Sequence, residues 1–488
     1  MKCLHLAFAL ILQIDAQQTS SFASKPLLPM PSPYPRLAFC TSLLAALALT
    51  ACGGAETGSN SGSATPTAQT SQAANGTMAS DQAQPGAADP GVLRSDGSLV
   101  AAAPDKQAQA AVVDDPAAVE VGGLLFHDPR LSANGKTACG SCHIEGFGHA
   151  DAPGTKLPLG GASGTRSGMR PGMTAPYLNL TPPFRLSLLG TPSGGYLWDG
   201  RADSHFEQAF HGGPFFNPVE MALPGSATAP KALTDLVRSA PYWPQLQALY
   251  ANAPQKIASD TALFKEVTLL LETYQRGDAD HKLFDSKFDQ VKARTASFSA
   301  AEQRGWALFN DSKRGNCVSC HSASLGQGTA LFTNFGYGAL GVPRNHAGPK
   351  NADPAFYDLG ICARKKAVTN TISDVLVKLL PRYCGLFKTP TLRNVERTGP
   401  YFHNAGVQTL EAAVRFHFER DTQAAKWYRK ADGSADVRYN DLPRVYQGNL
   451  AQGVPFNGSF KPTSSDIADL MAFLKTLNDA YQTEPMPN

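Results

Sequence analysis

Cys139-Gly140-Ser141-Cys142-His143 returns further along the chain as Cys317-Val318-Ser319-Cys320-His321. In a chain of this composition one C-x-x-C-H is expected by chance about 0.004 times, so two copies are no accident. Two thiols three positions apart can add across the two vinyl groups of one haem, and the adjacent imidazole then reaches the iron as proximal ligand. A zinc site would need both cysteine pairs to converge on one ion, yet each pair here carries its own His in register. A thioredoxin-like redox pair does not require that His at all. The two motifs therefore read as two covalently attached c-type haems, one held by Cys139, Cys142 and His143, the other by Cys317, Cys320 and His321.

Upstream of the first motif the sequence reads as export machinery. Arg36 precedes an apolar run from Leu37 to Leu49, which ends in Leu49-Thr50-Ala51-Cys52 and resembles the lipobox of a bacterial lipoprotein. Residues 1–51 would then be the signal region, with Met30 a more natural start than Met1, and Cys52 the lipidated first residue of a periplasmic, membrane-anchored chain. The alternative for Cys52 is an ordinary small residue in a cleaved signal. The run falls short of the about 20 apolar residues a spanning helix needs. Residues 52–112 follow as a flexible tether, because the Gly, Ser, Ala, Thr and Gln that dominate it bury too little apolar surface to offset their ordering entropy. The net charge of +3 contains no basic block, which leaves nucleic-acid binding without support.

Of nine cysteines, Cys3 and Cys40 fall in the leader, Cys52 at the anchor and four on haem. Cys362 and Cys384 remain. In an exported protein they point to a disulfide, contributing roughly 3 kcal/mol through unfolded-chain entropy, with two buried free thiols as the alternative.

The rest reads as a diverged repeat. Gly122-Gly123-Leu124-Leu125-Phe126 precedes the first haem motif and Gly305-Trp306-Ala307-Leu308-Phe309 the second, the latter on a helix opened by a Ser299-x-x-Glu302 capping box. Each half closes on an amphipathic helix: Leu263, Val267, Leu270, Leu271 and Tyr274 share one face, and Ile467, Leu470, Met471, Leu474 and Leu477 another, behind Thr463-x-x-Asp466. Helix, C-x-x-C-H, loops and closing helix is the order of a class I cytochrome c domain. The expectation is a mostly α fold of two such domains packed together, residues 113–295 and 296–488, each wrapping one haem.

Further phrases carry a resemblance: Leu125-Phe126-His127-Asp128-Pro129-Arg130-Leu131-Ser132, Trp198-Asp199-Gly200-Arg201-Ala202, Phe387-Lys388-Thr389-Pro390-Thr391-Leu392-Arg393-Asn394 and Thr398-Gly399-Pro400-Tyr401-Phe402-His403. Over residues 113–480 the chain resembles the bacterial dihaem cytochrome c peroxidase and MauG superfamily. The resemblance implies that peroxide reacts at the N-terminal haem while the C-terminal haem stores and relays electrons. It places the family's catalytic amide at Gln208, ten residues after Trp198, and its catalytic carboxylate at Glu220, in Val219-Glu220-Met221. The interval between these two is longer than the family pattern, so the loop between Phe210 and Asn217 is remodelled. Glu220 would serve as general base and then acid, Gln208 would orient peroxide or water, and Trp198 would lie between the haems on an electron path.

The same resemblance puts the second haem's sixth ligand fourteen residues after His403, at His417, where peroxidases carry Met and MauG carries Tyr. After Cys320 the methionines are Met471 and Met486, neither placed for ligation, and a second imidazole lowers the potential relative to a thioether. No clear distal His for the first haem lies between Leu157 and Met173; His149, His211, Met169 and Met173 are weak candidates, so an open or water-bound face is expected. A calcium ion between the domains is also implied, on Asn179 and the backbone carbonyls of Thr398 and Pro400. The leading expectation is reduction of hydrogen peroxide with electrons from a small c-type cytochrome or cupredoxin, in a chain that allows a homodimer. The competitors are MauG-like oxidation of a protein side chain and a plain dihaem electron carrier.

Overall fold

The computed structural model describes residues 115–480, apart from 153, 155–156, 211–212, 324–329 and 365–370. These residues lie within one compact unit. The leader, Cys52, the tether, His211 and Met486 lie outside the described residues. The helices are α1 (Pro116–Phe126), α2 (His205–Phe210), α3 (Lys231–Arg238), α4 (Trp243–Leu249), α5 (Asp260–Gly277) and α6 (Lys287–Lys292), then α7 (Ala300–Asn310), α8 (Ile372–Leu379), α9 (Leu410–Glu419), α10 (Ala424–Trp427) and α11 (Ser464–Lys475). The strands are two-residue pieces in three antiparallel pairs: β1 (Leu159–Gly160) with β2 (Arg166–Ser167), β3 (Arg185–Leu186) with β4 (Pro192–Ser193), and β5 (Tyr337–Gly338) with β6 (Phe387–Lys388). Among the described residues no helix is long and apolar enough to cross a membrane.

In the first half α1 starts where Asp115 accepts a hydrogen bond from the Ala117 N–H and Pro116 fixes the first helical φ. It crosses α5 at Gly122, where a Cβ would collide with the Leu270 carbonyl oxygen, so only hydrogen fits at the contact. The apolar face read from the sequence, Leu263, Val267, Leu270, Leu271 and Tyr274, is the face α5 buries. With Val121, Leu125 and Phe126 of α1 and with Leu233, Val237 and Leu246 of α3 and α4 it makes the first core.

The second half repeats this construction. Ser299 and Glu302 close a capping box at α7, and Thr463 and Asp466 close another at α11. The two helices cross at Gly305, where a Cβ would run into the Asp469 carbonyl. Leu308, Phe309, Phe332, Ile467, Leu470, Phe473 and Leu474 fill the second core. Two details differ from the helical periodicity. Leu477 is fully buried although it lies past the end of α11, and Met471 is only partly buried at the margin. Phe288 of α6 also packs into this core, with ring centroids 4.9 Å from Phe332 and 5.6 Å from Trp306.

A third, smaller core joins the halves: Phe184 and Leu186 meet Ile361, Val377, Leu380 and Tyr383. Cys362 and Cys384 are disulfide-bonded beside it, with Cα atoms 4.9 Å apart. The bond ties the turn at Ile361–Ala363 to the one at Pro381–Tyr383, and so fixes a small platform that carries little core of its own.

Candidate active site

Both C-x-x-C-H segments fold as a single 3-10 turn, Cys139–Ser141 and Cys317–Ser319, and in each the His N–H reaches back four residues to the same first Cys carbonyl (3.0 Å and 2.8 Å). This turn brings the two thiols and the imidazole to one side. The proximal rings are then fixed alike. His143 Nδ1 donates to the carbonyl of His149 at 3.0 Å, and His321 Nδ1 to that of Phe332 at 3.1 Å. Holding Nδ1–H this way sets the tautomer and leaves Nε2 as the ligating nitrogen. All four cysteines of the motifs are free thiols, and burial pushes those of Cys139 and Cys317 up to about 12. Free thiol pairs beside an imidazole whose second nitrogen is already engaged fit a covalent haem at each motif.

The middle of the first motif is glycine for a local reason. A Cβ on Gly140 would press on the His127 ring, whereas Val318 takes the same place in the second motif and packs on the second core. His149 belongs to the proximal side: besides its carbonyl bond, its ring lies on His281 with centroids 4.3 Å apart. Met169 and Met173 are half-buried, and Met173 lines a small cavity with Lys388 and Thr391.

Glu220 stands at the first motif. The residue is exposed, yet its charge acts on the Cys139 and Cys142 thiols, and the charges of Arg201 and His143 act on it. Asn217 Nδ2 donates to Glu220 Oε1 at 2.5 Å. Desolvation raises the Glu220 pKa above the ordinary carboxylate range, and Arg201, His143 and the Asn217 bond oppose that rise without cancelling it. Arg201 itself is held by Asp199 at 2.9 Å. Gln208 is on α2, half-buried, its N–H bonded to the Ser204 carbonyl at 3.0 Å.

At the second motif the group near the proximal imidazole is another imidazole. His417 is on α9, where its Nδ1 donates to the Ala413 carbonyl at 2.8 Å and so leaves Nε2 free for a metal. Burial first, and then the charge of His417, press the His321 pKa down to about 4. Burial also lowers His417, so both rings are held neutral, the form that ligates.

Trp198 lies where the halves meet. Its indole Nε1 donates to the Pro171 carbonyl at 3.1 Å, and its own carbonyl accepts the Lys388 N–H at 2.9 Å. The buried Lys388 side chain doubles back to the same segment, with Nζ on the Gly195 carbonyl at 2.6 Å, and burial lowers its pKa to about 7. Beside it Arg170 bridges Asp199 (2.8 Å) and Asp358 (2.7 Å), one carboxylate from each half. His403 is stacked on Phe387 with centroids 3.4 Å apart. The sequence reading missed the roles of Arg201, Lys388 and Arg170. The first two stand inside phrases already quoted, and Arg170 has no local signal because its partners are distant in sequence.

Asn179 is exposed, Thr398 half-buried and Pro400 buried. The segments that carry them are drawn together by Asp479, which accepts hydrogen bonds from both Tyr177 and Asn394. Among the described residues no group of three or more His, Cys, Asp or Glu side chains could hold a metal ion.

Residues 116–297 match the family model described as di-haem cytochrome c peroxidase. The chain is similar to methylamine utilization protein MauG of Paracoccus denitrificans, 34% identical over 376 residues that cover 75% of this chain and 89% of that protein. It is similar to the cytochrome c551 peroxidase of Nitrosomonas europaea, 28% identical over 325 residues covering 66% and 79%. Among solved structures it resembles the diheme peroxidase BthA of Burkholderia thailandensis, with TM-score 0.66, 30% identity, and 80% and 92% of the two chains covered.

Proposed function

Because the chain belongs to the di-haem cytochrome c peroxidase and MauG family, we propose that it reduces hydrogen peroxide to water at the N-terminal haem, with electrons from a small c-type cytochrome or cupredoxin passing through the C-terminal haem. The observation that carries this reading is the Glu220 carboxylate, whose charge acts on Cys139 and Cys142 and which is acted on in turn by Arg201 and His143. Haem iron, when bound, supplies the centre at which the O–O bond is cleaved and electrons are delivered.

The chain's own residues do the rest. Cys139 and Cys142 fix the first haem, and Cys317 and Cys320 the second. His143 and His321 serve as proximal ligands, each kept in the ligating tautomer by its carbonyl bond. Glu220 takes the proton from the near oxygen of peroxide and returns it to the far oxygen, which a carboxylic acid of raised pKa does more readily than one of ordinary pKa. Arg201 favours the ionised form that the first half of that transfer needs. Gln208 orients peroxide or water with its amide. Trp198, tied to both halves, provides the path between the haems. His417, with Nδ1 bonded to the Ala413 carbonyl, would offer Nε2 to the second haem iron, which would then be suited to holding charge.

The carbonyls of Thr398 and Pro400 accept no hydrogen bond among the described residues, which suits a calcium ion there together with Asn179. The disulfide Cys362–Cys384 suits an oxidising compartment, and with the Cys52 motif supports a periplasmic lipoprotein. Oxidation of a protein side chain, the MauG-like reading, is favoured by His417 at the place where peroxidases carry Met, and by the 34% identity to MauG. Ferric spectra test the common ground: a high-spin component that responds to peroxide is expected, and two purely low-spin, unresponsive haems would turn the protein into an electron carrier.

A further inference from the structure

The hairpin β3–β4 ends in Ser187-Leu188-Leu189-Gly190, a turn closed by the Gly190 N–H on the Ser187 carbonyl at 2.8 Å. Leu188 and Leu189 are fully exposed at its tip. Two apolar side chains standing free on a tight, hydrogen-bonded turn are not a fragment of any core, and they do not stand alone.

The tip rests on the disulfide-stapled platform. The Tyr383 hydroxyl donates to the Gly190 carbonyl at 2.8 Å, and Asn449 Nδ2 bonds the carbonyls of Pro381 and Cys384 at 2.8 Å and 2.9 Å. Three segments, the hairpin, the end of α8 with the turn Pro381–Tyr383, and the 3-10 helix Arg444–Asn449, are thereby stitched around one point. Each brings apolar knobs to the surface: Leu379 is 70% and Val445 78% exposed. Each also brings exposed cations, Arg185, Lys378, Arg382 and Arg444, and none of the four has an acidic partner among the described residues. The three segments contain one acid, Asp374, and it is buried against Arg364.

We propose that this face docks the protein on an anionic phospholipid surface, with Leu188 and Leu189 entering the interfacial layer and the four cations meeting lipid phosphates. Protruding apolar groups interleaved with cations that have no acidic partner match a surface that is negative at the headgroups, apolar below and free of fixed shape. A second copy of the chain fits poorly, since a twofold interface would set cation against cation. An acidic protein partner would satisfy the charge but would need recesses for four knobs. The proposal stands on this face and is independent of the lipid expected at Cys52, although such an anchor would raise the local concentration of membrane and make a weak docking face effective.

The test uses the haem-loaded chain from Gly53 onward, exported behind a cleavable signal in place of residues 1–52, so that neither leader nor anchor contributes. It should float with vesicles of phosphatidylglycerol and phosphatidylcholine, bind phosphatidylcholine alone weakly, and be displaced progressively by salt. L188S/L189S should weaken binding on the order of tenfold while haem content and peroxide turnover with a small-molecule reductant stay unchanged. In a separate L188W variant, tryptophan emission should shift to the blue on adding the anionic vesicles. Failure to float, or equal flotation of parent and L188S/L189S, overturns the proposal. So does a double variant that floats as before but is no longer reduced by an acidic c-type cytochrome, which would assign the face to a protein partner. Loss of vesicle binding by the chain from Gly53, with membrane retention of the full chain, would overturn this face alone and leave the Cys52 reading standing.

Discussion

The two C-x-x-C-H sites are built alike around the proximal imidazole and differ in the titratable group that acts on it. In each a 3-10 turn gathers the thiols, a backbone carbonyl takes the imidazole Nδ1–H, and a glycine lets one helix cross another behind the motif. Beyond that the first site has a carboxylate, Glu220, under the field of Arg201, whereas the second has His417, its Nδ1 tied to Ala413. A duplicated scaffold thus presents the two motifs in equivalent ways, and on the proposed function the division of labour rests on one side chain per site. A residue that can carry a proton suits bond cleavage. A residue that can close the iron suits charge storage.

The most drastic way to break this comparison is to remove the proton carrier. E220Q keeps shape and hydrogen-bonding reach but cannot ionise, so peroxide turnover should fall by on the order of 10² to 10⁴ with both haems still attached. Steady-state kinetics alongside pyridine haemochrome quantification checks this, and unchanged turnover would remove Glu220 from the mechanism. On the other side, H417M should raise the potential of the C-terminal haem by on the order of tenths of a volt while leaving the N-terminal one in place. Spectroelectrochemical titration resolves the two, and a shift in the wrong haem, or none, would mean that His417 is not a ligand.

The shared part of the comparison is testable through its glycines. G122A and G305A each place a methyl against a carbonyl of the facing helix, so each should cost about 1–3 kcal/mol or more and lower the thermal midpoint. If the two sites are equivalent in construction, the losses should be similar, and each should perturb the spectrum of its own haem. A large loss at one glycine and none at the other would show that the helix crossings are not doing the same job.

What the sequence made legible follows from how local each feature is. The capping boxes at Ser299 and Thr463, the buried face of α5 and the pairing of Cys362 with Cys384 are recoverable because their partners lie within a helix or within two dozen residues. Gly122 and Gly305 were noticed as a recurring phrase, but their cause, a carbonyl on a helix far along the chain, is long-range. The same holds for His149 and Phe332, which act on the proximal rings through main-chain oxygens that carry no side-chain signature. The Arg170 bridge between Asp199 and Asp358 and the wrapping of Lys388 around the Trp198 segment exist only once both halves are folded together. Glu220 was legible by its place in a family phrase, whereas its raised pKa required the surroundings that desolvate it.

That raised pKa gives the finest test of the contrast. The ionised form of Glu220 accepts the first proton, so activity is lost as pH falls through its pKa. Because desolvation lifts that pKa, the acid limb of kcat/KM should lie above the range of an exposed carboxylate, about 4.3. Arg201 opposes the lift, so R201L removes a cation that favours the charged form and should move the limb further up, costing a few-fold in rate at mildly acid pH and little in alkaline buffer. The Arg201 side chain is 34% exposed and belongs to neither haem motif, so haem loading should not change. The second site offers the internal control: the charge acting on His321 is that of His417, not of a carboxylate, and the potential of the C-terminal haem should be nearly indifferent to R201L across the same pH span. If the limb stayed where it was in R201L, or persisted in the residual activity of E220Q, the group titrating there would not be Glu220, and the assignment of the proton carrier would pass to another residue of the first site.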